Sequence, residues 1–232
     1  MSGFADRVAG IGLLAEPIRR ELYLYVCAQP HPVGREEAAD AVGIAQHKAK
    51  FHLDKLVGEG LLATEFARLT GRTGPGSGRP AKLYRRAAGE VAVSLPDREY
   101  ELAGRLMADA IAASASTGVS VLEALDAAAA EHGRAWGEAA RADASTERPL
   151  EIACRALAEH GYEPRLDDDE VTLANCPFHA LAHRHTELVC GMNLALVGAL
   201  VTAVDAAALG CRLAPLEGRC CVVISSQEPA GP

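Results

Sequence analysis

The sequence predicts an α+β protein built in successive parts, and three observations predict it. Residues 1–90 read as short helices followed by two strand-like runs around a glycine-rich tip. Residues 91–146 hold two long alanine-rich helix-forming runs. Residues 147–226 alternate helix and strand signals and carry six of the seven cysteines, five of them in the last quarter of the chain, which leaves 227–232 as a tail.

The elements follow in order. "LLAEPIRRELYLYVCA", Leu13 to Ala28, spaces Leu14, Ile18, Leu22, Tyr25 and Val26 as one helical face, and Pro30 and Pro32 end it. "REEAADAVG", Arg35 to Gly43, is a short helix with acids in its first turn and a glycine just past its end. A tight turn leads into "AQHKAKFHLDKLVGEG", where Ala45, Ala49, Leu53, Leu56 and Val57 mark the buried face. Two short helices across a glycine-containing turn describe a helix-turn-helix. After Gly60, "LLATEFARL" and "RPAKLYRRA" read as strands flanking the basic tip "TGRTGPGSG". That order makes the N-terminal 1–90 a winged helix-turn-helix.

The runs "DREYELAGRLMADAIAAS" and "SVLEALDAAAAEHGRAWGEAAR" are weakly amphipathic helices, and dimerisation is their expected use. "DASTERP" reads as a linker. Beyond it, "LEIACRALAEHG" and "ELVCGMNLALVGALVTAVDAAA" are helical, "YEPRL" and "EVTLAN" are strands around the acidic turn "DDD", and "CRLAP" with "RCCVVI" forms another strand pair.

Composition narrows the class. The chain is 49% hydrophobic, enough to bury a core in one large or two smaller domains. No basic-then-apolar leader opens it and no run approaches twenty uninterrupted apolar residues, so a cytoplasmic protein without a membrane span is expected. In a reducing compartment, seven cysteines point to a metal, a redox centre or packing in preference to disulfides. The formal charge of -8 conceals an asymmetry: residues 1–90 hold 13 Lys+Arg against 10 Asp+Glu, and residues 91–232 hold 10 against 21. Gln46 to Arg86 alone carries nine basic and three acidic residues, a footprint for a polyanion.

Through "HLDKLVGEGLL" and "GRPAKLYR", residues 11–90 resemble the winged-helix repressors of the ArsR-like group. The outward positions of the third helix are Gln46, His47, Lys50, Phe51 and Asp54. In a winged helix the N-terminal half of this helix enters the major groove, which makes Gln46, His47 and Lys50 the candidates for base edges. Lys48, Lys55, Arg72, Arg79 and Lys82 are the candidates for phosphates, setting register and salt dependence without choosing sequence. His52 reads equally as a packed histidine or a contact. One helix reads only a few base pairs, so the expected partner is a double-stranded operator with an inverted repeat, bound by a homodimer.

"NCPFHALAHRHTELVC", Asn175 to Cys190, packs two cysteines and three histidines into one stretch. Thiolates are the preferred ligands of zinc, copper(I) and iron-sulfur iron. Cys176 and Cys190 are the first candidates. Further ligands must come from Cys211, Cys220, Cys221 or a histidine, with His179 one turn after Cys176 ahead of His183 and His185, which suit an exposed helix face. Strand alternation admits at most one of Cys220 and Cys221 to a common site unless the strand is irregular there. Cys27 and Cys154 read as core residues.

A winged helix followed by helices, then "NCPF", "LVC" and "GRCC", is similar to the iron-sulfur-binding repressors of the SufR type and their actinobacterial relatives. By position, Cys176 and Cys190 match the first two cluster cysteines of that family. The gaps of twenty residues between Cys190 and Cys211 and of eight between Cys211 and Cys220 depart from its more even spacing. The resemblance implies a transcriptional regulator, a repressor, whose operator affinity is controlled by an iron-sulfur cluster. A structural zinc or an organic effector in the same module is the alternative. An enzyme using Cys176 or Cys190 as nucleophile finds no further support, since the chain shows no phosphate-binding glycine loop and no paired acid/base constellation.

Overall fold

The computed structural model describes residues 4–67, 80–143 and 146–227 of a mixed α+β chain that divides into two units, residues 1–93 and 94–232. The first unit begins with α1 (Phe4–Leu13) and α2 (Pro17–Ala28). The sequence pattern predicts one helix from Leu13, whereas the helix starts at Pro17 because proline suits only a first turn. Glu16 caps α2 by accepting from the N–H groups of Ile18 (3.1 Å) and Arg19 (2.8 Å).

Strand β1 (Val33–Gly34), too short to leave a periodic signal, precedes α3 (Arg35–Val42) and α4 (Gln46–Gly58). Gly43 ends α3 with φ 70°, a left-handed turn that a side chain would strain, and the Ile44 N–H closes it onto the Ala39 carbonyl at 3.0 Å. The hairpin β2 (Leu62–Ala67) and β3 (Ala81–Arg86) follows, and the antiparallel sheet has the order β1-β3-β2. Leu22, Val26, Ala49, Leu53, Leu56 and Tyr84 form the core. The expected hairpin tip, with Arg72 and Arg79, lies outside the described residues.

The second unit runs α5 (Tyr100–Thr117), α6 (Val121–Ala142), α7 (Pro149–Glu159), β4 (Pro164–Asp167), β5 (Glu170–Leu173), α8 (His179–Arg184), α9 (Thr186–Asp205), β6 (Leu209–Leu213) and β7 (Val222–Ser226). Its four strands form an antiparallel sheet in the order β4-β5-β7-β6. Gly118 in the left-handed region separates α5 from α6, and Ser120 and Glu123 form a reciprocal cap at the start of α6.

The central element is α9, with Val189, Met192, Leu196, Val197, Leu200 and Val201 all buried. Each such side chain stabilises the fold by about 1.5–3 kcal/mol. Among the described residues α9 is the one helix long and apolar enough to cross a membrane, and half of that stretch is buried inside the unit. Helix α6 lies against it through Gly133 and Gly137. A Cβ at Gly133 would collide with the Leu196 carbonyl, and one at Gly137 with that of Leu200. Here the architecture departs from the expected separate dimerisation region: α5 and α6 share the C-terminal module's core, and the small-residue face of α6 is occupied by α9.

Candidate functional site

Four cysteines from three stretches of chain meet in the second unit. Cys176 follows β5, Cys190 lies in the second turn of α9, and Cys220 and Cys221 directly precede β7. All four line one pocket of about 280 Å3, together with His179, Thr186, Glu217 and Arg219. Cys220 takes hydrogen bonds from Cys176 and Cys221, and Cys221 also contacts Cys190.

Backbone bonds explain the convergence. The Cys220 N–H donates to the Leu173 carbonyl at 2.8 Å, tying the entry to β7 to the end of β5. The Cys221 carbonyl accepts from the Ala214 N–H at 2.7 Å, and the Cys176 carbonyl from the His179 N–H at 3.0 Å. The expectation that at most one of Cys220 and Cys221 faces the site is corrected. Regular strand begins only at Val222, so pleat alternation does not yet apply at 220–221.

The thiols are not equivalent. Hydrogen bonds from Cys176 first, and then Cys221, pull Cys220 well below the ordinary thiol range. The same bonds, reinforced by burial, push Cys176 and Cys221 well above it. Among the described residues no three His, Cys, Asp or Glu side chains already stand as a metal-binding group.

Sequence reasoning missed the support behind Cys220. Asn193 is fully buried, donates from Nδ2 to Cys220 Sγ at 3.2 Å and accepts from the Tyr162 hydroxyl at 2.5 Å. Burial, and then the neighbouring Cys220, raises the Tyr162 phenol well above its ordinary range, so Tyr162 remains a donor. The available signal was a lone amide three residues after Cys190, on the same face of an otherwise apolar helix. Arg219 Nε is buried at the pocket without a hydrogen-bond partner.

The other candidates fall away from the pocket. Cys211 sits on β6 with its Sγ toward Gly198, and burial raises its thiol. Cys154 is half-buried on α7, and Cys27 packs at the edge of the first core. His183 and His185 are exposed, whereas His179, also exposed, lines the pocket's rim.

In the first unit, α4 turns Gln46, His47, Lys48, Lys50, Phe51 and Lys55 to solvent while Ala49, Leu53 and Leu56 are buried. Not all of these are unengaged. Gln46 Nε2 donates to Glu36 at 3.0 Å, and Lys50 Nζ lies 3.8 Å from Asp54. Lys82 Nζ donates to Asp54 at 2.6 Å beside a Tyr84 hydroxyl bond of 2.9 Å, so its charge is directed at a carboxylate. Burial works to raise the Asp54 carboxyl, but those two bonds outweigh it and hold the group below its ordinary range. His52 is packed against Arg19 and Glu16, and burial lowers its pKa. Phe51 is 57% exposed beside Lys55, an apolar group on a cationic face.

Comparison with protein-family models, curated proteins and solved structures finds no match to this chain.

Proposed function

We propose that this chain is a winged-helix transcriptional repressor, acting in the cytoplasm as a homodimer on an inverted-repeat operator, whose DNA affinity is set by an iron-sulfur cluster in its second unit. The single observation that carries the reading is the meeting of Cys176, Cys190, Cys220 and Cys221 in one pocket, in a chain whose other unit presents an exposed cationic helix. Four sulfurs suit both a cluster and zinc. The cluster is preferred to zinc on the resemblance of "NCPF", "LVC" and "GRCC" to the iron-sulfur-binding repressors. When bound, a cluster supplies sensitivity to oxygen, nitric oxide or small thiols. The chain supplies the thiolates and the amide of Asn193 that orients Cys220.

For the DNA-binding unit, support comes from the order α3, turn, α4, β2, β3 with β1 added to the sheet edge. His47 and Lys50 are the base-edge candidates, with Gln46 reaching a base only after leaving Glu36. Lys48 and Lys55 face phosphates. The N-cap of α4 is Ala45, which makes no side-chain bond, so the first N–H groups of the helix remain open to an anion.

The test selects a duplex from a random pool with the full chain, then measures its affinity for metal-loaded and stripped protein at fixed salt. A difference of about fivefold or more is expected. Failure of both forms to bind any duplex beyond nonspecific affinity contradicts the reading.

A further inference from the structure

The chain passes from one unit to the other between Val93 and Ser94. Val91 packs against the first unit's core, so only Ala92 and Val93 separate it from the first residue of the second unit. Residues 94–99 are thus the first segment of the second unit, directly after the chain leaves the first core.

Those residues are bonded to the loop that carries Cys176. The Arg98 guanidinium donates from Nη1 to Asn175 Oδ1 at 2.5 Å and to the Cys176 carbonyl at 2.8 Å. The Glu99 N–H donates to the Pro177 carbonyl at 3.2 Å, and Asn175 Nδ2 returns a bond to the Asp97 carbonyl at 3.1 Å. The other Asn175 bond reaches the Gly161 carbonyl at 2.5 Å, and the amide is buried. Within the segment, the Arg98 N–H is held by Ser94 Oγ at 2.9 Å.

We propose that Arg98 and Asn175 couple the occupancy of the thiol pocket to residues 94–100, the opening segment of the second unit. The inference rests on the metal-site reading. Its physical basis is that the carbonyl held by Arg98 belongs to Cys176, whose thiol lines the pocket and would turn toward a metal held there. Reorienting that residue moves the acceptor, and a planar guanidinium fork follows its acceptors more faithfully than a flexible ammonium. Linkage requires contacts that differ between the two states, and this hydrogen-bonded set is placed to differ. Arg98 and Asn175 are positioning residues: neither side chain lines the pocket.

Hydrogen exchange of the full chain, metal-free and loaded with Zn2+ alone, tests this without knowledge of the operator. In the wild type, loading slows exchange of the 94–100 amides by about fivefold or more. Arg98→Met retains Zn2+ uptake, and loading leaves 94–100 unchanged; Arg98→Lys gives a smaller difference than wild type. Zn2+ uptake by the wild type without any change at 94–100 overturns the coupling alone, as does an Arg98→Met chain with the full wild-type difference. Loss of Zn2+ binding in both variants also overturns it, leaving Arg98 as a brace for the ligand loop. A wild-type chain that takes up neither Zn2+ nor iron overturns the metal-site reading and the coupling with it.

Discussion

The cationic face of α4 and the thiol pocket are built on opposite principles. Among the described residues, every DNA-contact candidate except Lys82 comes from ten consecutive residues, Gln46 to Lys55, and their side chains point to solvent. The pocket takes its sulfurs from residues 176, 190, 220 and 221, and three of the four are buried. A face of the first kind depends only on a helix forming in register. One of the second kind exists only if β5, α9 and the approach to β7 pack correctly, so it is coupled to the stability of its unit in a way that the α4 face is not.

Core changes in the second unit should therefore have the largest effect. Gly133→Ala places a methyl group against the Leu196 carbonyl, a backbone atom that no rotamer change can withdraw. A loss of about 1–3 kcal/mol or more is expected from the urea midpoint, with metal uptake failing in parallel. Next in size is the paired change Lys48→Ala and Lys55→Ala. It should lower the salt slope of operator binding by about 2 while leaving the unfolding midpoint of the metal-free chain unchanged, because both side chains are exposed.

A smaller effect should appear with pH. His160 stacks on Trp136 with ring centroids 3.5 Å apart, and its pKa is lowered to about 4 by burial first and by His132 second. The unfolded histidine titrates near 6.5, so between about 6.5 and 4 the unfolded chain binds a proton that the folded chain refuses. Stability from this group is present above pH 6.5, falls as the pH drops through that window and levels off below it. Solvent screening of a half-exposed ring leaves about 1–2 kcal/mol. Trp136 is the chain's sole tryptophan, and its fluorescence should change with a midpoint near 4 and not near 6.5. The smallest change is Gly191→Ala, an open helical position on α9 that should stabilise the unit by about 0.5–1 kcal/mol and leave metal uptake intact.

The same contrast explains what could be read from the sequence. Periodicity located α3, α4 and the hairpin strands, because each is set by neighbours three, four or two residues away. It could not reveal β1, which is two residues long and defined by pairing Val33 with Tyr84 across fifty positions of chain. Cysteine clustering marked the C-terminal quarter, but the choice of Cys220 and Cys221 over Cys211 depended on where β7 begins and on bonds from Leu173 and Asn193. Helices α5 and α6 are readable as helices, but their place in the C-terminal core is not. Small residues along α6 suit a close helix neighbour, and only the fold identifies that neighbour as α9 of the same chain.

If Cys220 belongs to a metal-binding set and Cys211 does not, iron, sulfide and zinc analysis of anaerobically prepared wild type, Cys211→Ser and Cys220→Ser should separate the two cysteines. Equal iron and sulfide are expected in the wild type and Cys211→Ser, with loss of both in Cys220→Ser. A wild type free of bound metal, or a Cys220→Ser chain that retains it while Cys211→Ser does not, would show that Cys220 is not a ligand.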